Sequence, residues 1–297
     1  MSRNQNRTGL PEDAFEHQQE SPAPIMGSPP GTPHAPANAP AFNWATPTEF
    51  VKLPSAGMFY PEDHALHHVD IVEIRYMTAK EEDILTSRSL LKEGLALDRM
   101  LQNLFIDPAI RVADLLVGDK NALLVAARRT GYGASYDTKV ECPSCNVTDE
   151  FSFDLEDPPV NNFRENIENA EGVTLTENKT FVMTLPMTGV TVECRLLFGS
   201  DEVALAKQAE RKSKRKQDDT TTTDVFRAYI VSVNDDPSPI LKETLIQNMP
   251  ARDARYLRKM YVSLVPNIDM TQSYACGNCG HEADMEVPLS VDFFWPE

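Results

Sequence analysis

Cys142-Pro143-Ser144-Cys145 and Cys276-Gly277-Asn278-Cys279 are the two stretches that decide the predicted fold of this sequence. Each is a Cys-x-x-Cys hook, and its two-residue gap lets both sulfurs of the hook point at one metal ion. Four thiolates from two such hooks make the ligand set of a tetrahedral structural zinc site. The sequence therefore predicts one bound Zn²⁺ with four protein ligands: Cys142, Cys145, Cys276 and Cys279.

The residues that follow the two hooks repeat the same pattern. In both cases apolar residues alternate with polar ones, starting six residues past the second cysteine of the hook. These apolar residues are Phe151, Phe153 and Leu155 after the first hook, and Met285, Val287 and Leu289 after the second. Alternation with a period of two is typical of half-buried strands, so each hook is predicted at the tip of a β-hairpin. The two hairpins are predicted to be pseudo-repeats that form a zinc ribbon, with 130 residues between the hooks.

Other uses of the cysteines are weighed against zinc. Two disulfides would leave Cys194 unpaired, and no secretory signal begins the chain. A redox Cys-x-x-Cys explains one hook but not a matched pair, and reduced metal-free thiols remain a third alternative. We interpret Cys194 as a core or half-buried strand residue and His281 as a surface residue beside the site. A site closed by four protein ligands leaves no position for water, which disfavours catalysis at the metal.

Composition limits the class of protein. The 297 residues are 41% hydrophobic, enough for real cores, and no apolar run approaches the length of a membrane span. The chain carries 45 acidic against 28 basic residues, a net charge of −17 that repels phosphate backbones and disfavours a nucleic-acid partner. Reduced thiols without a secretory signal lead us to expect synthesis in a cytoplasm.

The predicted fold class is α+β, with four parts along the chain. Residues 1–43 are rich in proline and are predicted to be a disordered tail, or a tether that orders against a neighbour. Residues 44–135 are predicted to form a small strand-plus-helix domain. Residues 136–157 and 270–297 are the two halves of the split zinc ribbon, and residues 158–269 are an inserted domain of one β-hairpin plus helices.

Local patterns predict the elements of these domains. In the first domain they predict strands at 50–53 and 72–76, a helix from the capping box Thr78-Ala79-Lys80-Glu81 through about Ser87, and a helix over about 94–106. A third helix is predicted to begin after Gly118-Asp119 and to end at Gly131. In the insert they predict strands at 181–185 and 190–197, and helices from Ser200 and over 224–233, 239–248 and 250–264.

Three further groups of residues invite a functional interpretation. His64, His67 and His68 precede a strand, but no acidic or cysteine pattern completes a metal site, so a polar loop is favoured. The basic run Arg211–Lys216 would suit phosphate or an acidic partner, or it is a solvated helix end that complements the helix dipole. The sequence holds no phosphate loop, no His-x-x-x-His helix and no nucleophile elbow, so a binding or assembly protein is favoured over an enzyme.

An aromatic stretch, Phe293-Phe294-Trp295-Pro296, lies next to the last residue, Glu297. An aromatic terminus docks on its own domain or on a partner. Phe293, Phe294 and Trp295 are therefore predicted as partner-binding residues.

Several motifs together resemble one protein family. They are Val51–Pro61 (VKLPSAGMFYP), Met77–Leu85 (MTAKEEDIL), Leu116–Ala122 (LVGDKNA), Ala127-Arg128 and Gly131-Tyr132-Gly133, with the two hooks and the aromatic ending. In this order and spacing, over residues 44–297, they resemble the baseplate hub proteins of T-even-like contractile-tailed bacteriophages. The proline-rich tail lies outside the resemblance.

The resemblance implies a structural subunit of the baseplate hub, which joins the tail tube to the cell-puncturing apparatus. Such a subunit is made in the host cytoplasm, enters the virion tail baseplate in several copies, and holds other hub and tail-tube proteins in register. It implies no catalytic residues. Two alternatives stay open: a hub assembly chaperone or scaffold absent from the mature virion, and a zinc-ribbon protein that binds nucleic acid.

Overall fold

The computed structural model of the protein describes residues 46–161, 163–216, 220–287, 289 and 291–294. The predicted tail, residues 1–43, lies outside these residues, as does Trp295. Helices and small antiparallel sheets make up the described part, which confirms the predicted α+β class. Among the described helices, none combines the length and apolar character needed to cross a membrane.

The N-terminal part pairs one short hairpin with four helices. Strand β1 (Thr48–Lys52) runs antiparallel to β2 (Ile71–Arg75), and Val51 lies opposite Val72 on the buried face. The helices are α1 (Ala79–Leu85), α2 (Arg88–Glu93), α3 (Ala96–Leu104) and α4 (Val117–Tyr132). The capping box predicted at α1 is confirmed: the Thr78 hydroxyl accepts from the Lys80 N–H, and the Glu81 carboxylate accepts from the Thr78 N–H.

Two boundaries in this part differ from prediction. The sequence predicts a helix that starts at Gly94, but Gly94 ends α2 in the left-handed conformation with φ of 67°. A glycine tolerates this conformation and is common just past a helix end, so the residue is a stop signal and not a start. Helix α4 starts at Val117, with Leu116 as its N-cap, and not after Gly118-Asp119 as predicted; it also continues through the predicted end at Gly131 to Tyr132.

The two predicted zinc hairpins are present in the fold. They are β3 (Ser135–Glu141) with β4 (Thr148–Asp154), and β9 (Thr271–Ala275) with β10 (Glu282–Glu286). Each forms its own two-stranded antiparallel sheet. The insert therefore leaves the ribbon after β4 and returns to it at β9.

The insert contains more sheet than predicted. Its strands β5 (Val173–Leu175), β6 (Phe181–Thr184), β7 (Thr191–Cys194) and β8 (Ile230–Val233) form one antiparallel sheet in that order. The predicted hairpin is β6–β7, at the centre of this sheet. Helices α5 (Phe163–Asn169), α6 (Gly199–Lys214), α7 (Thr221–Tyr229), α8 (Pro239–Asn248) and α9 (Ala251–Leu264) complete the insert.

The helix predicted over 224–233 is wrong at its C-terminal end. Helix α7 stops at Tyr229, and Ile230–Val233 pairs with β7 as an edge strand. The segment IVSV is rich in β-branched residues, which favour a strand when a pairing partner is available. That partner lies about 40 residues earlier in the chain, so the local pattern did not reveal it.

A narrow neck joins the insert to the rest of the chain. Val160 forms a bridge with Ile268, the Asn161 N–H donates to the Asn267 carbonyl (2.8 Å), and the Asp269 N–H donates to the Pro159 carbonyl (2.7 Å). The insert thus enters and leaves through neighbouring segments. The neck also packs on α4, since a Cβ added at Gly118 would lie 1.9 Å from the Pro266 carbonyl oxygen.

Helix α4 is the most buried helix of the described part. Its buried residues include the charged Asp119, Lys120 and Arg128. The Asp119 carboxylate accepts from the Ser55 N–H (2.9 Å), the Ser55 hydroxyl (2.6 Å) and the Tyr60 hydroxyl (2.8 Å). The Lys120 ammonium pairs with Asp98 (2.7 Å) and Glu202 (2.8 Å). Buried charges need such partners, and these link α4 to three other elements.

One core cluster runs through the N-terminal part, the insert and the base of the ribbon. It includes Leu101 and Leu123 from the first, Phe181 and Leu257 from the second, and Phe153 from the third. All five are fully buried or nearly so. The insert therefore shares its core with the N-terminal part.

Candidate metal centre

The first hook sits in the loop between β3 and β4. The Asn146 N–H donates to the Cys142 carbonyl (2.9 Å), and the Cys142 N–H donates to the Val147 carbonyl (3.0 Å). Asn146 adopts the left-handed conformation with φ of 56°, which asparagine tolerates better than most residues. The two bonds fold the loop tightly enough to bring Cys142 and Cys145 to one side.

The second hook repeats this backbone arrangement. The Gly280 N–H donates to the Cys276 carbonyl (2.9 Å), and the Cys276 N–H donates to the His281 carbonyl (2.9 Å). Gly280 takes the left-handed position with φ of 69°, at the place that Asn146 occupies in the first hook. The two loops therefore share the same hydrogen-bond pattern at the same offsets from their first cysteines. This agrees with the pseudo-repeat that the sequence predicts.

The hairpins bring all four hook cysteines together. Their sulfur atoms all lie within 4.8 Å of one another, and no other group of metal-ligating side chains forms in the described residues. The Sγ–Sγ distance is 3.8 Å from Cys142 to Cys279 and 3.7 Å from Cys145 to Cys276. In a regular tetrahedron with metal–sulfur bonds of about 2.3 Å, neighbouring sulfurs are about 3.8 Å apart. The donor set and spacing thus fit a tetrahedral thiolate site.

The same distances separate this cluster from a pair of disulfides. A disulfide bond is about 2.05 Å long, roughly half the observed sulfur separations. All five cysteines of the chain are unbridged in the structure. Cys194 lies apart from the cluster, fully buried in β7 as a core residue, and its burial raises the pKa of its thiol.

The surroundings of the four sulfurs are only partly apolar. Cys142 and Cys276 are buried, Cys145 is half-buried and Cys279 is exposed. The buried cluster at the tips consists of Cys142, Cys276 and Tyr274, with partly buried apolar neighbours around it. The buried Tyr274 hydroxyl lies beside the Cys276 sulfur and helps to lower the pKa of that thiol. A thiolate accepts a hydroxyl donor more strongly than a thiol does, which is a second point of fit with a metal-bound cysteine.

Backbone and side-chain donors favour thiolates at two of the positions. The N–H groups of Cys279 and Asn278 lower the pKa of the Cys276 thiol to about 6. The Val147 N–H and the Asn278 side-chain amide lower the pKa of Cys145, and that amide lies 3.7 Å from the Cys145 sulfur. Metal ligands are deprotonated cysteines, so these donors prepare the site for a cation.

At the fourth position the closeness of the sulfurs opposes ionisation. The His281 N–H acts to lower the pKa of Cys279, but partial burial and hydrogen bonds with the three neighbouring thiols raise it to about 11. Four thiolates at these separations repel one another unless a cation lies between them.

The two hairpins also contact each other below the tips. The Asp154 N–H donates to the side-chain oxygen of Gln272 (3.0 Å), and the Gln272 amide donates back to the Asp154 carbonyl. The rings of Phe151 and Tyr274 meet edge to face with centroids 5.4 Å apart. The strands of the two hairpins do not pair with each other in the part of the chain that the structure describes. These side-chain contacts therefore fix the relative position of the two hooks.

The histidines occupy the places that the sequence predicts. His281 is exposed, and it is not among the four residues that converge at the tips. His64, His67 and His68 lie in a turn-rich loop before β2, where His64 stacks on the Tyr60 ring with centroids 4.4 Å apart. Burial lowers the pKa of His64. The three histidines do not converge with any other ligand among the described residues.

The aromatic ending requires a correction. Phe293 and Phe294 were predicted to bind a partner. Both are fully buried in the chain's own core, so neither ring is accessible to a partner. The buried Arg128 guanidinium holds this end in place by donating to the Phe293 carbonyl (2.8 Å), the Gly133 carbonyl (2.9 Å) and the Ser135 carbonyl (3.2 Å). Sequence reasoning missed Arg128 because the local pattern of its helix gives no sign of where the partners of an arginine lie. Trp295, the third predicted residue, lies outside the described residues.

The basic run Arg211–Lys216 spans the last turn of α6 and the residues after it. Lys212 pairs with Asp224 (2.5 Å) and Lys214 with Glu210 (2.6 Å). Two of its cations are therefore partnered within the chain. The end of a helix is also where cations complement the dipole.

Comparison with known proteins gives one match. No curated protein sequence and no solved structure matches the chain significantly. The family described as T4 bacteriophage base plate protein matches residues 46–295, which include both hooks and the whole insert. Membership implies a structural role and a location in the baseplate of the virion tail, in association with other phage baseplate proteins. The chain belongs to the T4 bacteriophage base plate protein family.

Proposed function

We propose that this protein is a structural subunit of the baseplate hub that holds neighbouring hub and tail-tube proteins in register. It is made in the host cytoplasm and is retained in the virion in several copies. The family match over residues 46–295 supports a baseplate role, and the hub-like motifs such as Val51–Pro61 favour the hub within it.

We further propose that Cys142, Cys145, Cys276 and Cys279 bind one structural Zn²⁺. The convergence of four sulfurs within 4.8 Å at two hairpin tips carries this proposal. Four protein ligands close the coordination shell and leave no position for water or substrate, so the metal is structural and not catalytic. A bound zinc ion would supply a cross-link between the hairpins, where only three residues form the buried cluster.

The contacts of the family-like motifs support a structural role. Ser55 and Tyr60, from the motif Val51–Pro61, both donate to Asp119, from the motif Leu116–Ala122. The Leu116 N–H also donates to the Tyr60 hydroxyl (3.0 Å). Asp119 is fully buried, so this network is closed to solvent. Its residues fix the turn after β1 onto α4 and have no access to a substrate.

The metal proposal is tested by zinc analysis of the full chain purified without added zinc, with thiol titration under denaturing conditions. We expect about one zinc per chain and five titratable thiols after chelation. Cys142→Ser should lose the metal, whereas Cys194→Ser, in the core of the insert, should retain it. A metal-free protein with one free thiol would mean two disulfides and would overturn the zinc site.

The hub proposal is tested in phage particles. Complementation with Cys142→Ser should fail to incorporate the protein into baseplates, and Cys194→Ser should incorporate it. Soluble, folded Cys142→Ser that enters baseplates in normal amounts would contradict the role of the ribbon. Quantitative mass spectrometry of mature virions should find several copies per particle. Presence in assembly intermediates with absence from virions would instead identify an assembly chaperone.

A further inference from the structure

Helix α9 carries a row of cations on its outward face. Arg252, Arg255 and Lys259 follow one another at spacings of three and four residues, which places them on one side of the helix. We call these three residues the basic stripe. All three are exposed, and Val262 continues the same line three residues on with 71% of its surface exposed. The buried residues of α9, including Leu257 and Leu264, lie on the other side.

The basic stripe has no partner within the described part of the chain. Some cations elsewhere on the insert are neutralised locally: Lys212 pairs with Asp224, and Arg227 pairs with Asp224 and Glu243. The side chains of Arg252, Arg255 and Lys259 make neither a hydrogen bond nor an ion pair with any residue that the structure describes. In a chain with a net charge of −17, these three cations, with the exposed Arg258 beside them on the same helix, form a basic surface.

The ribbon carries the opposite charge. Its two halves, residues 136–157 and 270–297, contain twelve acidic residues and one basic residue, Lys139. On β10, alternate residues Glu282, Asp284 and Glu286 are exposed on one face of the strand. We call these three residues the acid row. Their side chains too make no hydrogen bond or ion pair with a described residue.

The opposite face of this small sheet carries Tyr274 and the half-buried Ala283 and Met285 towards the ribbon interior. On the outward face, the residues of β9 beside the acid row are Thr271, Ser273 and Ala275. These side chains are short, so nothing on the neighbouring strand covers the three carboxylates. The acid row is therefore as open to a docking partner as the basic stripe is.

We propose that the acid row of one copy of this protein docks onto the basic stripe of a second copy. Three carboxylates meet three cations, and the two rows have similar lengths. Glu282 to Glu286 spans about 14 Å at a strand rise of about 3.4 Å per residue, and Arg252 to Lys259 spans about 10 Å along a helix. The long arginine and lysine side chains cover the difference, and Val262 adds an apolar contact at the edge.

The two rows lie on different elements of the chain, so the contact is heterologous. Each copy would offer its acid row to one neighbour and its basic stripe to another, which builds a ring if the rotation closes and a filament if it does not. This inference goes beyond the proposed function, which names neighbouring baseplate proteins but not a second copy. It depends on charge placement and not on the hub assignment.

The test is a charge swap in the full-length, zinc-replete protein. In the stripe variant, Arg252→Glu, Arg255→Glu and Lys259→Glu reverse the basic stripe. In the row variant, Glu282→Lys, Asp284→Lys and Glu286→Lys reverse the acid row. The control variant reverses three exposed cations elsewhere, Arg211→Glu, Arg215→Glu and Lys216→Glu, and so changes the net charge as much as the stripe variant does.

Sedimentation velocity at low salt should show self-association of the unchanged protein and of the control variant. The stripe variant and the row variant should each be monomeric, and an equimolar mixture of the two should associate again. Raising the salt from about 50 mM to about 500 mM should weaken the association of the unchanged protein by about tenfold or more. Circular dichroism and zinc content verify that each variant is folded.

Three results would overturn the proposal. The unchanged protein remains monomeric at low salt, the stripe variant associates as well as the control variant, or the mixture of reversed variants fails to associate although both are folded. If the row variant does not bind zinc, it is not folded and does not test the proposal. The difference in self-association between the stripe variant and the control variant then tests it alone. Salt-dependent binding of duplex DNA by the unchanged protein, lost in the stripe variant, with no self-association, would assign the stripe to nucleic acid instead. Failure of the hub proposal is separate, because virion content and incorporation measure it.

Discussion

The ribbon and the body of this protein are held together in different ways. The ribbon comprises the hairpins β3–β4 and β9–β10, and the body comprises the N-terminal part and the insert. At the ribbon tips only Cys142, Tyr274 and Cys276 are buried together. The body has one continuous apolar core with fully buried side chains such as Leu123 and Phe181. Short hairpins bury too little apolar surface to be stable alone. The proposed metal ion would therefore supply the cross-link that replaces a hydrophobic core at the tips.

Polar residues also differ between the two regions. In the body, buried charges such as Asp119, Lys120 and Arg128 find their partners inside the same chain and join separate elements. In the ribbon, the carboxylates face outward and the acid row has no internal partner among the described residues. The body's charges thus stabilise its own fold, and the ribbon's charges are available for contacts with other molecules.

The largest expected effect separates the two regions directly. Removal of the metal by a chelator, or Cys142→Ser, should abolish protection from hydrogen exchange in β3, β4, β9 and β10 and leave α4 protected. Structural zinc sites contribute on the order of 10–16 kcal/mol of apparent binding free energy, so the loss should exceed that of any single substitution in the core. Cys194→Ala should keep the ribbon protected. Loss of protection throughout α4 on chelation would show that the regions are not independent.

Arg128→Met should give the next largest effect, because it removes the link between α4 and both the ribbon base and the aromatic ending. Three carbonyl oxygens, those of Gly133, Ser135 and Phe293, would lose a charged donor inside the protein. We expect a loss of about 2–4 kcal/mol in the free energy of unfolding, measured by urea denaturation. Arg211→Met, on the exposed end of α6, is the matched control and should change little. Equal effects of the two substitutions would contradict the assigned role of Arg128.

Gly118→Ala tests the packing of the neck on α4. The new Cβ would lie 1.9 Å from the Pro266 carbonyl oxygen, and backbone cannot move aside as a flexible side chain does. We expect destabilisation of about 1–3 kcal/mol in thermal or urea unfolding. Gly131→Ala, on the same helix, meets only the Met77 side chain at 3.4 Å and should be neutral or slightly stabilising. A neutral Gly118→Ala would mean that the neck is not fixed to α4.

Asn161→Ala tests the closure of the neck and has the smallest expected effect. The Asn161 amide donates to the carbonyls of Val262, Ser263 and Val265, the last carbonyls around the end of α9. Helix ends without partners for their carbonyls are less stable, so we expect a loss of about 1–2 kcal/mol. The exposed Asn248, whose amide donates to the Thr244 carbonyl of its own helix, is the control and should tolerate alanine. Faster hydrogen exchange at the end of α9 in Asn161→Ala alone would localise the effect.

The features that depend on local spacing could be predicted from the order of residues. Two hooks with equal flanking patterns predicted the paired hairpins, and the structure shows the same hydrogen bonds at Cys142 and Cys276. The motif beginning at Thr78 predicted the helix start, and the bounds predicted for α8 match those observed. These features are readable because a turn, a cap or a two-residue ligand gap is fixed by neighbours within a few positions.

The features that depend on distant partners could be seen only once the elements were packed together. Ile230–Val233 is a strand because β7 lies beside it. Phe293 and Phe294 are core residues because they pack in the chain's own core, where Arg128 donates to the Phe293 carbonyl. The sequence contains the cations of α9 and the carboxylates of β10, but not the fact that both rows are left without partners in the described chain. Burial and ion pairing depend on contacts between elements that are distant in the sequence, and a local pattern of residues does not predict those contacts.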